Sequence, residues 1–198
     1  MDGDADGPLE LLFRRRSIGR LTEPAPSDDE LTAMLRAAAA APDHGELRPF
    51  RFVVLRGQGK EAFGNVLAEA YLRRVHAAGG RPEPAKLAKE RTKLGRAPVV
   101  VVVGAAHVHD EKIPWSDQVG AANAAAQNLL LAATALGYGS MWRTGDPVSD
   151  PHVKQALGLT EHDAVVGFVY LGTPHEGGWK PANDPSLDGL VTAWPRPS

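Results

Sequence analysis

Val99-Val100-Val101-Val102-Val103, set between Ala97-Pro98 and Gly104-Ala105-Ala106, decides the fold of this chain. Five consecutive β-branched residues favour a strand. Because they do not alternate with polar residues, both faces of that strand must be buried. A sheet covered on both faces needs helices above and below it. The flanking sequence supplies them. Upstream, Ser27-Asp28-Asp29-Glu30 is a capping box that opens a helix running to about Ala40, stopped by Pro42. Phe50–Leu55 is a strand turned by Gly57–Gly59, and two helices follow, about Lys60–His76 and Glu83–Leu94, split by Gly79-Gly80-Arg81-Pro82.

Downstream, Ser116–Leu136 is the longest helix, capped by Ser116 and ended by Gly137. Its alanines (Ala121, Ala122, Ala124, Ala125, Ala126) permit close backbone approach, which suits the middle of a domain or a subunit interface. Gly139–Trp142 is a short strand, Pro151–Leu157 a short helix and Ala164–Leu171 another strand. At the start, Leu9–Arg16 forms a short helix with basic residues at its negative dipole end, and Thr22–Pro26 is a proline-rich connection. The expected class is α+β, a mixed sheet of about four strands with helices on both sides. It makes one domain over residues 1–198. Residues 1–8 are expected to be a disordered tail, and residues 173–198 an extended segment too polar for a core.

Bulk properties exclude several functions. The formal net charge is −2, against the basic balance of a nucleic-acid-binding domain, and no cysteine is present, which removes thiol catalysis and disulfides. No stretch resembles a signal peptide or a membrane span, so a cytoplasmic location is expected. Gly57-Gln58-Gly59-Lys60 matches a loose dinucleotide fingerprint, but no second strand with an acidic end follows about 20 residues later. The segment reads as a strand-to-helix turn. His107-Val108-His109-Asp110 lacks a third ligand and reads as a surface loop, so no metal is expected. No Gly-x-Ser-x-Gly elbow supports hydrolase chemistry.

What remains is a set of three polar segments at element ends. They are Arg15-Arg16-Ser17, then Asp43-His44-Gly45-Glu46-Leu47-Arg48, then Met141-Trp142-Arg143-Thr144-Gly145. Guanidinium groups grip phosphate oxygens with paired hydrogen bonds, and hydroxyls fill remaining acceptor sites. Taken together, the segments point to an anionic cofactor.

With Gly167-Phe168-Val169-Tyr170-Leu171-Gly172-Thr173-Pro174 added, their order resembles the FMN-dependent nitroreductase family, in its short single-domain NAD(P)H nitroreductase branch. The resemblance implies a three-layer α/β/α sandwich with a mainly antiparallel sheet. It implies a homodimer with FMN at the interface, and NADH or NADPH as hydride donor. Arg15 and Ser17 would hold the FMN phosphate and Arg16 would lie near the pyrimidine edge. His44 and Arg48 would reach the flavin from the other subunit. Trp142, Arg143 and Thr144 would lie against the ring. Lys180 is a candidate for the C-terminal cation on the phosphate. The family also contains enal or semialdehyde reductases, dehalogenases and flavin-degrading enzymes, and a non-catalytic flavin sensor or store is a further alternative. No catalytic side chain is expected. The acceptor and the NADH or NADPH preference stay open, with Arg73, Arg74 and Arg81 as possible partners of a 2′-phosphate.

Overall fold

A computed structural model describes residues 8–194, and the expectations for residues 1–7 and 195–198 lie outside it. Helix α1 (Pro8–Arg14) leads to a two-residue strand β1 (Leu21–Thr22), inside what the sequence presents as a proline-rich connection. Helix α2 (Asp28–Ala39) carries the expected capping box, with the Ser27 hydroxyl accepting from Glu30 N and the Glu30 carboxylate accepting from Ser27 N at 2.8 Å. Strand β2 (Phe50–Arg56) runs straight into α3 (Gly57–Ala77), so Gly57–Gly59 is the first turn of the helix and not a separate turn. Helix α4 (Pro84–Thr92) continues into a 3-10 turn, Lys93–Arg96. After β3 (Val99–Ala105) come α5 (Trp115–Ala135), β4 (Gly139–Arg143), α6 (Pro151–Ala156) and β5 (Ala164–Pro174). The expected Ser116 cap is not used: Pro114 occupies the N-cap position, and the Ser116 hydroxyl turns to Asp117.

The sheet runs β1-β5-β3-β2, with β4 paired to β5 as well. All strand pairs are antiparallel; an isolated bridge between Ser17 and Ser140 is parallel. An antiparallel β2–β3 pair is incompatible with a βαβ nucleotide-binding unit, which settles the fingerprint at Gly57 as a structural turn. The five valines are buried on both faces. Val99, Val101 and Val103 pack with Met34 of α2 and with Ala122, Ala126 and Leu129 of α5. Val100 and Val102 pack with Phe63 and Leu67 of α3, Leu94 and Val153.

Small residues bring elements close. A Cβ at Gly64 would overlap the carbonyl oxygen of Arg91, so α4 lies on the backbone of α3. Asn128 Nδ2 donates to Ala37 O at 3.2 Å, joining α5 to α2.

Candidate functional site

The Arg15–Ser17 corner forms where α1 ends. Arg15 N closes the last helical turn on Leu11 O at 3.1 Å, and Ile18 N donates to Ser140 O at 3.0 Å. Ile18 is buried in the core on the α3 side, which pins the corner against β4. Arg15, Arg16 and Ser17 therefore flank the strand that carries Trp142 and Arg143, and the structure brings these two predicted segments together. The C-terminal segment also meets the corner. Lys180 Nζ donates to Ser17 O at 2.8 Å, Arg16 Nη1 to Pro181 O at 3.0 Å, and Asn183 N to Phe13 O at 2.8 Å.

Side chains alternate along β4. Trp142 points to the α5 side and donates from Nε1 to Val166 O at 3.0 Å. Met141 and Arg143 point the other way, toward α4. There a cavity of about 400 Å³ is lined by Lys89, Lys93, Arg96, Met141, Arg143 and Tyr170, among others. The Arg143 guanidinium lies 5.7 Å from the centre of the Tyr170 ring. Glu90 supplies a carboxylate to this wall and pairs with Lys93 at 2.5 Å, so the cations outnumber it. Burial pushes the Tyr170 hydroxyl above the usual tyrosine range, against the opposing pull of Arg143 and Arg96. Two buried polar atoms on β4 have no hydrogen-bond partner in the described structure, Ser140 Oγ and Arg143 Nε. Of the two, Arg143 lines the cavity, and its Nε is a donor open to a ligand there. Thr144, just beyond the strand, is exposed.

His44 and Arg48 lie elsewhere. His44 Nδ1 is 2.9 Å from Asp117 Oδ2 in the first turn of α5, whereas the Arg15 side of the molecule meets Thr134 and Gly137 at the other end of that helix. Seventeen residues of helix separate Asp117 from Thr134, about 26 Å. Arg48 adopts φ 49°, a left-handed conformation that is unusual for a side-chain-bearing residue; Asp43 Oδ2 holds it by accepting from Arg48 N at 2.6 Å. Within one chain these two residues cannot share a small ligand with the corner.

Sequence reasoning missed the cationic wall. Lys89 lies on α4 and Lys93 and Arg96 on the 3-10 turn that follows it, and the basic residues clustered over 89–96 were the available signal. The His107–Asp110 segment is a loop, as expected. The His107 ring packs edge-on against Trp115 at 5.1 Å, and His107 N donates to Asp163 at 2.7 Å.

The model of the nitroreductase family matches residues 12–173, and the chain belongs to that family. A relative from Escherichia coli K12, YdjA, which bears the name of an NAD(P)H nitroreductase, is 39% identical over 184 residues, covering 93% of this chain and 97% of its own. A nitroreductase-like family protein from Bacillus cereus has the same fold, with a TM-score of 0.75 at 20% identity over 98% of this chain and 100% of its own. A Bacteroides fragilis nitroreductase solved with bound FMN superposes with a TM-score of 0.70 at 25% identity, covering 93% of this chain and 97% of its own. The three-layer α+β class is thus the family's own. Among the described residues no helix is long and apolar enough to cross a membrane.

Proposed function

We propose that this chain is an FMN-dependent oxidoreductase that uses NADH or NADPH to reduce nitroaromatic, quinone or related acceptors. The observation that carries the proposal is the joining of the Arg15–Ser17 corner to β4, beside a cavity with cationic walls and the orphaned Arg143 Nε. The donor set fits the group. Guanidinium and hydroxyl donors suit a phosphate, and the aromatic and thioether lining by Tyr170 and Met141 suits a planar ring. When bound, FMN supplies a two-electron carrier that takes hydride from the nicotinamide and gives it to the acceptor in a ping-pong cycle.

The chain's part is binding, orientation and field. Arg15 and Ser17 would hold the phosphate, and Lys180, docked on Ser17 O, would add a second cation there. Arg16 ties down the C-terminal segment through Nη1 and keeps Nε and Nη2 for the pyrimidine edge. Trp142, Arg143 and Thr144 would offer their backbone to the ring. Excess positive charge from Lys89, Arg96 and Arg143 stabilises negative charge near the site.

Two copies complete the site. His44 and Arg48, remote from the corner in one chain, are brought to it by a partner subunit. Exposed apolar side chains on α1 (Leu9, Leu12, Phe13) and in the C-terminal segment (Leu187, Leu190, Val191, Trp194) support association of that kind. The test is FMN affinity, measured by quenching of flavin fluorescence. Arg15→Ala is expected to bind FMN about 10- to 100-fold more weakly, the size of a lost charge-assisted hydrogen bond. Unchanged affinity in the folded variant contradicts the assignment.

A further inference from the structure

We propose that Arg74 is a positioning residue for the loop that follows β4; the proposal rests on the flavin reading above. The loop leaves the sheet at Arg143. Gly145 then takes φ 101° and ψ −166°, a conformation open to glycine and strained for any other residue. From there the chain makes one 3-10 turn, Asp146–Val148, and enters α6 through Asp150. The turn's own hydrogen bonds are few. Val148 N reaches Gly145 O at 3.1 Å, while Ser149 N to Asp146 O and Asp150 N to Pro147 O are both 3.4 Å.

The turn is fixed to the body of the molecule from outside, by the last turn of α3. Arg74 Nη1 donates to Asp150 Oδ2, and Arg74 Nη2 lies 3.7 Å from Asp146 Oδ2. The Asp150 side chain is 4% exposed, and its other oxygen accepts from His152 N at 3.0 Å and Val153 N at 3.3 Å. One guanidinium therefore clamps both ends of the turn. A second tie lies alongside, where His152 Nε2 is 3.1 Å from Glu69 Oε2. These contacts tie the half-buried Arg74 side chain to the loop after β4.

Displacing the turn displaces Gly145 and, through it, Thr144, whose backbone the proposal above assigns to the flavin ring. Arg74 thus acts on the flavin through the loop, without touching it. The variants Arg74→Met, Arg74→Lys and Asp146→Asn are compared with wild type by FMN titration, visible circular dichroism of the bound flavin and anaerobic midpoint potential, with thermal melting as the folding control. Arg74→Met is expected to weaken FMN binding about tenfold and to change the visible dichroism. Arg74→Lys keeps the charge but loses the fork, and is expected to recover part of both. Asp146 is exposed and Asp150 keeps its partner in Asp146→Asn, so that variant melts as wild type yet shifts the dichroism and the potential. It decides the matter if Arg74→Met does not fold. If folded variants bind FMN with wild-type affinity, dichroism and potential, Arg74 serves stability alone and the inference is overturned. If the wild type itself takes up no FMN, the flavin reading fails and the inference falls with it.

Discussion

Trp142 is oriented by an absence. Gly167 lies on β5 two residues before Val169, the cross-strand partner of Trp142, and a Cβ there would overlap Trp142 Nε1 and Cδ1 and crowd Arg143 O. Gly167→Ala must therefore push the indole off its hydrogen bond to Val166 O or spread β4 from β5. Overpacking of this kind costs about 1–3 kcal/mol. Denaturant unfolding of Gly167→Ala should show a loss of that size, with a shifted tryptophan emission; wild-type stability contradicts the packing described. The roles of single residues were unequally legible in the sequence. Arg15 and Ser17 became candidates only in company with the two other polar segments, since basic residues at a helix end are also explained by its dipole. The role of Arg74 was hidden, since its carboxylate partners lie more than 70 positions away and pair only through tertiary structure.

Elements were legible where local forces decide them. The valine run is β-branched and uniformly apolar, so its strand and its burial on both faces followed from composition. The Ser27–Glu30 box predicted the start of α2 because both partners of the cap are local. Strand β1 was hidden, since two residues carry no periodicity and Leu21–Thr22 is a strand only because β5 extends to Pro174 beside it. The start of α5 was misplaced because Pro114, with its fixed φ, begins the helix before the Ser116 hydroxyl can cap it. The loop between β3 and α5 has a tertiary anchor as well, Asp163, which accepts from His107 N and Thr160 N, both at 2.7 Å. Burial pushes the Asp163 carboxyl up, but these N–H donors, the Thr160 hydroxyl and the charge of Arg51 outweigh it and hold it below the usual carboxylate range. A lowered folded-state value contributes stability above the unfolded value, and that contribution is lost as pH falls through the folded one. Asp163→Asn should therefore melt below wild type at neutral pH, and the gap should close below about pH 4. A gap that is constant with pH contradicts this role for the carboxylate.

At the scale of the molecule, the account depends on two chains sharing each site. Arg15 and His44 sit near opposite ends of α5 in one chain, so Arg15→Ala and His44→Ala damage different halves of a composite site. Mixing the two variants under conditions of subunit exchange forms heterodimers in which one site carries both lesions and the other neither. Random pairing makes half the dimers mixed, so about one quarter of all sites should regain wild-type turnover. No recovery contradicts a shared site. The central claim, that the chain binds FMN and reduces it with a nicotinamide, is tested most directly by the visible spectrum of the purified, FMN-loaded protein before and after anaerobic addition of NADH or NADPH. The account predicts a flavin band that bleaches within turnover time with at least one donor and returns when a nitroaromatic or quinone is added. A protein that takes up no FMN, or whose flavin band stays unchanged with both donors, contradicts it.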